Sequence, residues 1–181
     1  MDKINTFVTI ALILMFFIYA VETYAQSLTL ECQIPKSWML IDLDREKIDT
    51  DINPDIIIKA FKTHNNDLIL VTAYFLDDTF TLNDWLKAMR EAFSGDKNTK
   101  VINGEIEKIG RYDVVSLSVA GKGKLYRFDK NGHINIIRHT FLIKHGSAII
   151  QFIIICQESQ YNILKSVVSD VIKTLVFKYK T

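Results

Sequence analysis

Two short runs, and a scattered set of histidines and cysteines, hold residue types that invite chemistry. Asp49-Thr50-Asp51-Ile52-Asn53 has the D-x-D-x-N start of a calcium loop. Such a loop needs glycine at its sixth position and a bidentate glutamate at its twelfth. Pro54 and Ala60 stand there, so the segment reads as an acidic, solvated loop. Asp42 and Asp44 could add oxygen donors, but only to an irregular hard-metal site. Gly121-Lys122-Gly123-Lys124 resembles a phosphate cradle. A P-loop sets G-x-x-x-x-G-K-[ST] between a strand and a helix. Here Leu125 follows Lys124 and both flanks are strand-like, so an exposed basic hairpin turn is expected. Lys122 and Lys124 are its candidate interaction residues.

The third group is the histidines and cysteines. His64, His133 and His145 fall in turns. His139 shares a strand face with Ile137, Phe141 and Ile143, which suits a neutral histidine bonded within the core. No H-x-x-x-H or C-x-x-C spacing joins any of them into a metal site. Cys156 ends a long apolar run, a poor setting for a nucleophile that needs a base and access. No G-x-S-x-G elbow occurs. No catalytic, cofactor-binding or metal-ligating residue emerges, and no cofactor is implied. Cys32 and Cys156 are the only two cysteines. In an oxidising compartment they are a possible disulfide, closing a loop of about 124 residues and worth at most roughly 4–5 kcal/mol; two buried thiols are the alternative.

The elements that would position these residues follow from periodicity. Leu28 to Gln33 alternates apolar and polar, as a strand does. Pro35-Lys36-Ser37-Trp38 turns the chain into a short extended piece, Trp38 to Leu43, and residues 42–55 read as a loop. Ile56 to Thr63 and Leu68 to Leu76 form a hairpin across His64-Asn65-Asn66-Asp67, where Asn and Asp tolerate turn conformations. Thr81 is the expected N-cap of a helix to about Phe93, with Asp84 in its first turn. Leu82, Trp85, Leu86, Met89 and Phe93 make its apolar stripe. Strands resume at Gly104 to Ile109, Tyr112 to Ala120 and Leu125 to Phe128. A last hairpin joins Ile134 to Lys144 with Ala148 to Gln157, and a helix capped by Ser159 runs to about Phe177. The expected fold is α+β: a largely antiparallel sheet of six or more strands with helices on both faces, a three-layer α/β/α arrangement.

Residues 1–25 have the three parts of a secretory signal. Lys3 gives a weakly positive start, Phe7 to Val21 is apolar except for Thr9, and Thr23-Tyr24-Ala25 offers a small-residue cleavage site. The run is shorter than the roughly 20 residues of a spanning helix. Cleavage leaves a single domain, residues 26–181, beginning at Gln26; an uncleaved segment would be the only tie to a membrane. Nearly half of the residues are apolar and 24% charged, a globular balance, and the net charge of +1 gives no broad attraction to nucleic acid.

This order of elements resembles the PsbP-like fold, which includes bacterial exported DcrB-like proteins. The landmarks are Ile34-Pro35-Lys36-Ser37-Trp38, similar to the family's Pro-x-x-Trp although the family often has glycine where Ser37 stands; the two-faced hairpin followed at once by Thr81 to Phe93; and the final hairpin running into a segment that ends Thr174-Leu175-Val176-Phe177. The resemblance implies a non-enzymatic domain that binds a protein partner, here at the cell envelope. It supplies no active site to carry over. A carrier or holdase for an apolar ligand or peptide is the alternative, suggested by the surplus of apolar strand faces. An enzyme with a scattered site is the third.

Overall fold

A computed structural model describes residues 28–46, 56–76, 79–122 and 135–179. The signal segment, the Asp49–Asn53 run, Lys124, His133 and the expected strand Leu125 to Phe128 lie outside the described residues. The chain divides into two compact units.

The smaller unit contains the strands β1 (Leu28–Glu31) and β9 (Val176–Tyr179), paired antiparallel with Leu30 opposite Phe177. Lys178 Nζ lies 2.7 Å from a Glu31 carboxylate oxygen. The expected helix to Phe177 is therefore too long. Its apolar tail, Val176-Phe177, is strand, and helix ends at Lys173.

The larger unit, Gln33–Thr174, holds a seven-stranded antiparallel sheet. Along the chain come β2 (Met39–Leu40), the single-turn helix α1 (Leu43–Glu46), β3 (Ile57–Lys62), β4 (Leu68–Phe75), the helix α2 (Leu82–Ser94), β5 (Thr99–Ile109), β6 (Tyr112–Lys122), β7 (Asn135–His145), β8 (Ala148–Gln157) and the helix α3 (Tyr161–Lys173). The strand order across the sheet is β2-β3-β4-β8-β7-β6-β5. β8 is buried along nearly its whole length, as its run of isoleucines requires of a strand covered on both faces.

Local chemistry explains the turns. Asn66 takes φ +66° in the β3–β4 turn, the left-handed conformation that asparagine tolerates. Thr81 and Asp84 form a reciprocal capping box at the start of α2. The α3 start differs from expectation. Ser159 lies within a 3-10 turn, Glu158–Gln160, and no side chain caps the helix.

The two long helices lie on opposite faces of the sheet. Trp85 of α2 packs with Val115, Leu117 and Val119 of β6. Tyr161, the first residue of α3, bonds to Ser118, which alternation places on the other face of β6. The apolar stripe of α2 is where its spacing puts it: Trp85 is buried, and Leu82, Leu86, Met89 and Phe93 are partly buried against the same cluster. On that same face a second cluster joins Ala60, Leu68, Leu70 and Ile153, with Ile41, Leu43 and Ile57 packed against it.

Candidate interaction surface

The titratable groups inside the sheet serve packing. His139 of β7 is fully buried. Its Nδ1 is 2.8 Å from Ser118 Oγ and its Nε2 is 3.4 Å from Ser116 Oγ. The Tyr161 hydroxyl is 2.6 Å from Ser118 Oγ. Desolvation, with a smaller contribution from the Lys165 charge, lowers the His139 pKa to about 3. The ring is thus neutral and a poor base. It links β6, β7 and the first residue of α3, leaving its nitrogens satisfied in the core.

Cys156 is buried, and desolvation, helped by the Asp67 charge, raises its thiol to about 12. The thiolate is the nucleophilic form, so this residue is inert. Cys32 is half-buried, with its pKa also raised by burial. Both stand as free thiols in the structure. Asp67, buried in the β3–β4 turn, accepts a hydrogen bond from Thr63 Oγ1 at 2.9 Å. Burial raises its pKa, while the bonds from Thr63 and from the Gln157 backbone oppose that shift.

Asp42 uses its carboxylate locally: its Oδ1 accepts the Arg45 N–H at 3.2 Å at the start of α1. Among the described residues no three His, Cys, Asp or Glu side chains gather as a metal site would require. Lys122 ends β6 opposite Asn135; its side chain and Lys124 lie outside the described residues.

One group of exposed apolar side chains lies at the β2 end of the sheet. β2 is two residues long and pairs only with Phe61 and Lys62 of β3. A further backbone bond, Ile41 N–H to the Ala60 carbonyl, follows, and the chain then turns away into α1. β3 continues through Ile57–Lys59 with β4 on one side, and a β-bulge there disturbs that pairing. Among the described residues no strand pairs with the other side of Ile57–Lys59. A notch of about 360 Å³ opens where β2 leaves, lined by Leu40, Ile41, Leu43, Ile57, Ile58 and Lys59 among others. Met39 is 53% exposed, Leu40 61% and Ile58 45%.

The opposite end behaves differently. β5 is eleven residues long, and α2 lies against it. The Arg90 guanidinium donates to the Gly104 carbonyl. Ile102 and Ile106 are exposed there, but Lys100, Glu105, Glu107 and Lys108 surround them, and a bulge interrupts the ladder at Val101–Asn103. Charges and bulges are how natural sheets blunt an edge. Elsewhere a hollow of about 300 Å³ carries Lys97, Lys100 and Glu158 on its lining, a mixed charge that selects no one ion.

Sequence reasoning missed Met39, Leu40 and Ile58. Their apolar character reads as core. The signal available was the shortness of the apolar run after Trp38, cut off by Asp42, which leaves no room for a full strand.

By sequence alone, no family model and no curated protein matches the chain. Solved structures do match by shape. Cyanobacterial PsbP (CyanoP) from Synechocystis is 15% identical, with a TM-score of 0.52 over 83% of this chain and 92% of that one. LpqN of Mycobacterium tuberculosis, described as involved in cell envelope biogenesis, is 12% identical, with a TM-score of 0.56 over 84% of each chain. The Saccharomyces cerevisiae Ran-binding protein Mog1p is 11% identical, with a TM-score of 0.52 over 81% of this chain and 89% of that one. At these identities the likeness concerns fold, and the fold of this chain is PsbP-like.

Proposed function

We propose that this chain is an exported, non-enzymatic protein-interaction domain of the bacterial cell envelope, and that its contact is the β2–β3 end of the sheet. One observation carries the choice of surface. Leu40 and Ile58 hold large apolar side chains in water beside a notch at the β2–β3 end of the sheet, and Met39, next to Leu40, is exposed as well. Exposed apolar side chains gathered at one end of a sheet are a candidate interaction site. The buried nucleophile and buried neutral histidine favour a non-enzymatic reading, since neither is equipped for acid–base or nucleophilic work. Export rests on residues 1–25 of the sequence, with cleavage before Gln26. LpqN's connection with envelope biogenesis and Mog1p's binding of Ran accord with such a role on this fold.

The test is in-cell cross-linking of the tagged protein followed by mass spectrometry. One envelope protein should be enriched, and Leu40→Glu with Ile58→Glu should remove it. A turnover by the purified protein, abolished by one point change, overturns the non-enzymatic reading. A second reading, a carrier of apolar peptides, draws on Met39, whose flexible thioether suits a surface that accepts several partners. It requires the protein to enhance the fluorescence of a hydrophobic dye, and absence of that signal ends it.

A further inference from the structure

On β5, at the other end of the sheet, Asn103 is followed by Gly104. We infer that this pair is a site of spontaneous covalent modification: in the folded protein the Gly104 main-chain nitrogen closes on the Asn103 carboxamide, converting Asn103 to aspartate and isoaspartate. Three observations carry this. Packing requires glycine at 104, because a Cβ there would come within 2.9 Å of Arg90 Nε and of Leu117 Cδ1 and within 3.1 Å of Leu86 Cδ1. Glycine is also the neighbour that hinders such a ring closure least, since no side chain stands beside its nitrogen. Secondly, the reacting groups already touch. The Gly104 N–H donates to Asn103 Oδ1 at 2.8 Å, and Asn103 Nδ2 donates to Glu105 Oε1 at 2.9 Å, so the two bonds agree on which way the amide points. Reactants held in contact react in an intramolecular step, without the entropy cost of an encounter. Thirdly, Asn103 is exposed on the terminal strand of the sheet, at the bulge between Val101 and Asn103 where the regular ladder is broken. The other asparagines among the described residues are each followed by a residue with a side chain.

Water is the only co-reactant. The Gly104 nitrogen gives its proton to solvent hydroxide and attacks Asn103 Cγ. The bond from Cγ to Nδ2 breaks, and that nitrogen leaves as ammonia with a proton from solvent. The product is a cyclic succinimide that contains the Gly104 nitrogen. Water then opens the ring. Breaking the bond from that nitrogen to Cγ gives aspartate. Breaking its bond to the main-chain carbonyl carbon gives isoaspartate, which adds a methylene to the main chain of β5. Nothing is oxidised or reduced. Either product loses the amide that donates to Glu105 and gains a carboxylate, so an attraction gives way to repulsion between like charges. Isoaspartate also displaces the Gly104 carbonyl, which receives the Arg90 guanidinium of α2. Ageing of Asn103 therefore loosens α2 from β5.

The test is peptide mapping by mass spectrometry of the purified, folded chain after prolonged incubation at pH 8, with circular dichroism confirming that it stays folded. Asn103 should convert at least tenfold faster than Asn98, and both isoaspartate and aspartate should form there. The rate should fall at pH 6, because the nitrogen attacks after losing its proton. The aged protein should melt at a lower temperature than fresh protein. Asn103→Gln should remove that drop in melting temperature. The chain's second Asn-Gly pair, Asn131-Gly132, lies outside the described residues, and mapping separates its peptide from that of Asn103. An Asn103 that stays intact in the folded protein but converts in the urea-unfolded chain would overturn the inference, because the fold would then protect it. Conversion at Asn131 alone, or aspartate at 103 without isoaspartate, would overturn it as well.

Discussion

The two ends of the seven-stranded sheet handle the same problem in opposite ways. Any terminal strand presents unpaired backbone groups and invites pairing. At the β5 end the strand is long, but α2 packs on it through Leu86 and Arg90 at Gly104, and charged residues break up its apolar positions. At the other end β2 stops after two residues, and Leu40 and Ile58 stay in water. One edge is covered by a helix, and beside the other no strand pairs with Ile57–Lys59 among the described residues. That asymmetry is the basis of the proposed interaction surface.

The covered side can be broken by acid, with the largest expected effect. His139 ties β6 and β7 to the first turn of α3, and the fold holds its pKa near 3 instead of the ordinary 6.5. A depressed histidine pKa means the native state favours the neutral ring. Its contribution is fully present above pH 6.5 and is lost as pH falls toward 3. The loss is on the order of a few kcal/mol. Chemical denaturation at pH 7, 5 and 3.5 should show falling stability, and His139→Leu should flatten that profile. A wild-type profile matched by the variant would contradict this account of the core.

Next in size is Gly104→Val. A Cβ at Gly104 would come within 2.9 Å of Arg90 Nε and of Leu117 Cδ1. Crowding of this kind costs about 1–3 kcal/mol, read as a lower thermal midpoint, and α2 should loosen over β5. If the midpoint holds, α2 is not pinned there. Thr81→Ala removes the side chain that accepts the Asp84 N–H and should cost about 1 kcal/mol, measured by urea denaturation.

The β2–β3 end is expected to be silent in the same assays. Leu40→Glu and Ile58→Glu sit in water and should change stability by no more than about 0.5 kcal/mol. A loss of several kcal/mol would show that these side chains are packed, and the contrast between the two ends would collapse.

Much of the covered half was legible in the sequence. Thr81 and Asp84 announced the α2 cap, the Trp85 stripe announced its buried face, and the long apolar run of β8 announced a strand covered twice. What failed depended on residues far apart in the chain. β9 looked helical because Val176 and Phe177 continue the apolar pattern of α3, and only pairing with β1 makes them strand. Ser159 looked like a cap, but a 3-10 turn intervenes and the hydroxyl of Tyr161 bonds to Ser118, 43 positions away. The candidate surface was the least legible part. Composition cannot tell an exposed leucine from a buried one, and the exposure of Leu40 follows from where β2 stops.

The most direct measurement is site-specific photo-cross-linking in living cells, with the photoreactive residue at position 40 or at position 106. The account predicts one envelope protein captured from position 40, absent from position 106, and lost when Ile58→Glu is added. Capture of that protein from position 106 alone, or no specific adduct from position 40, would contradict it.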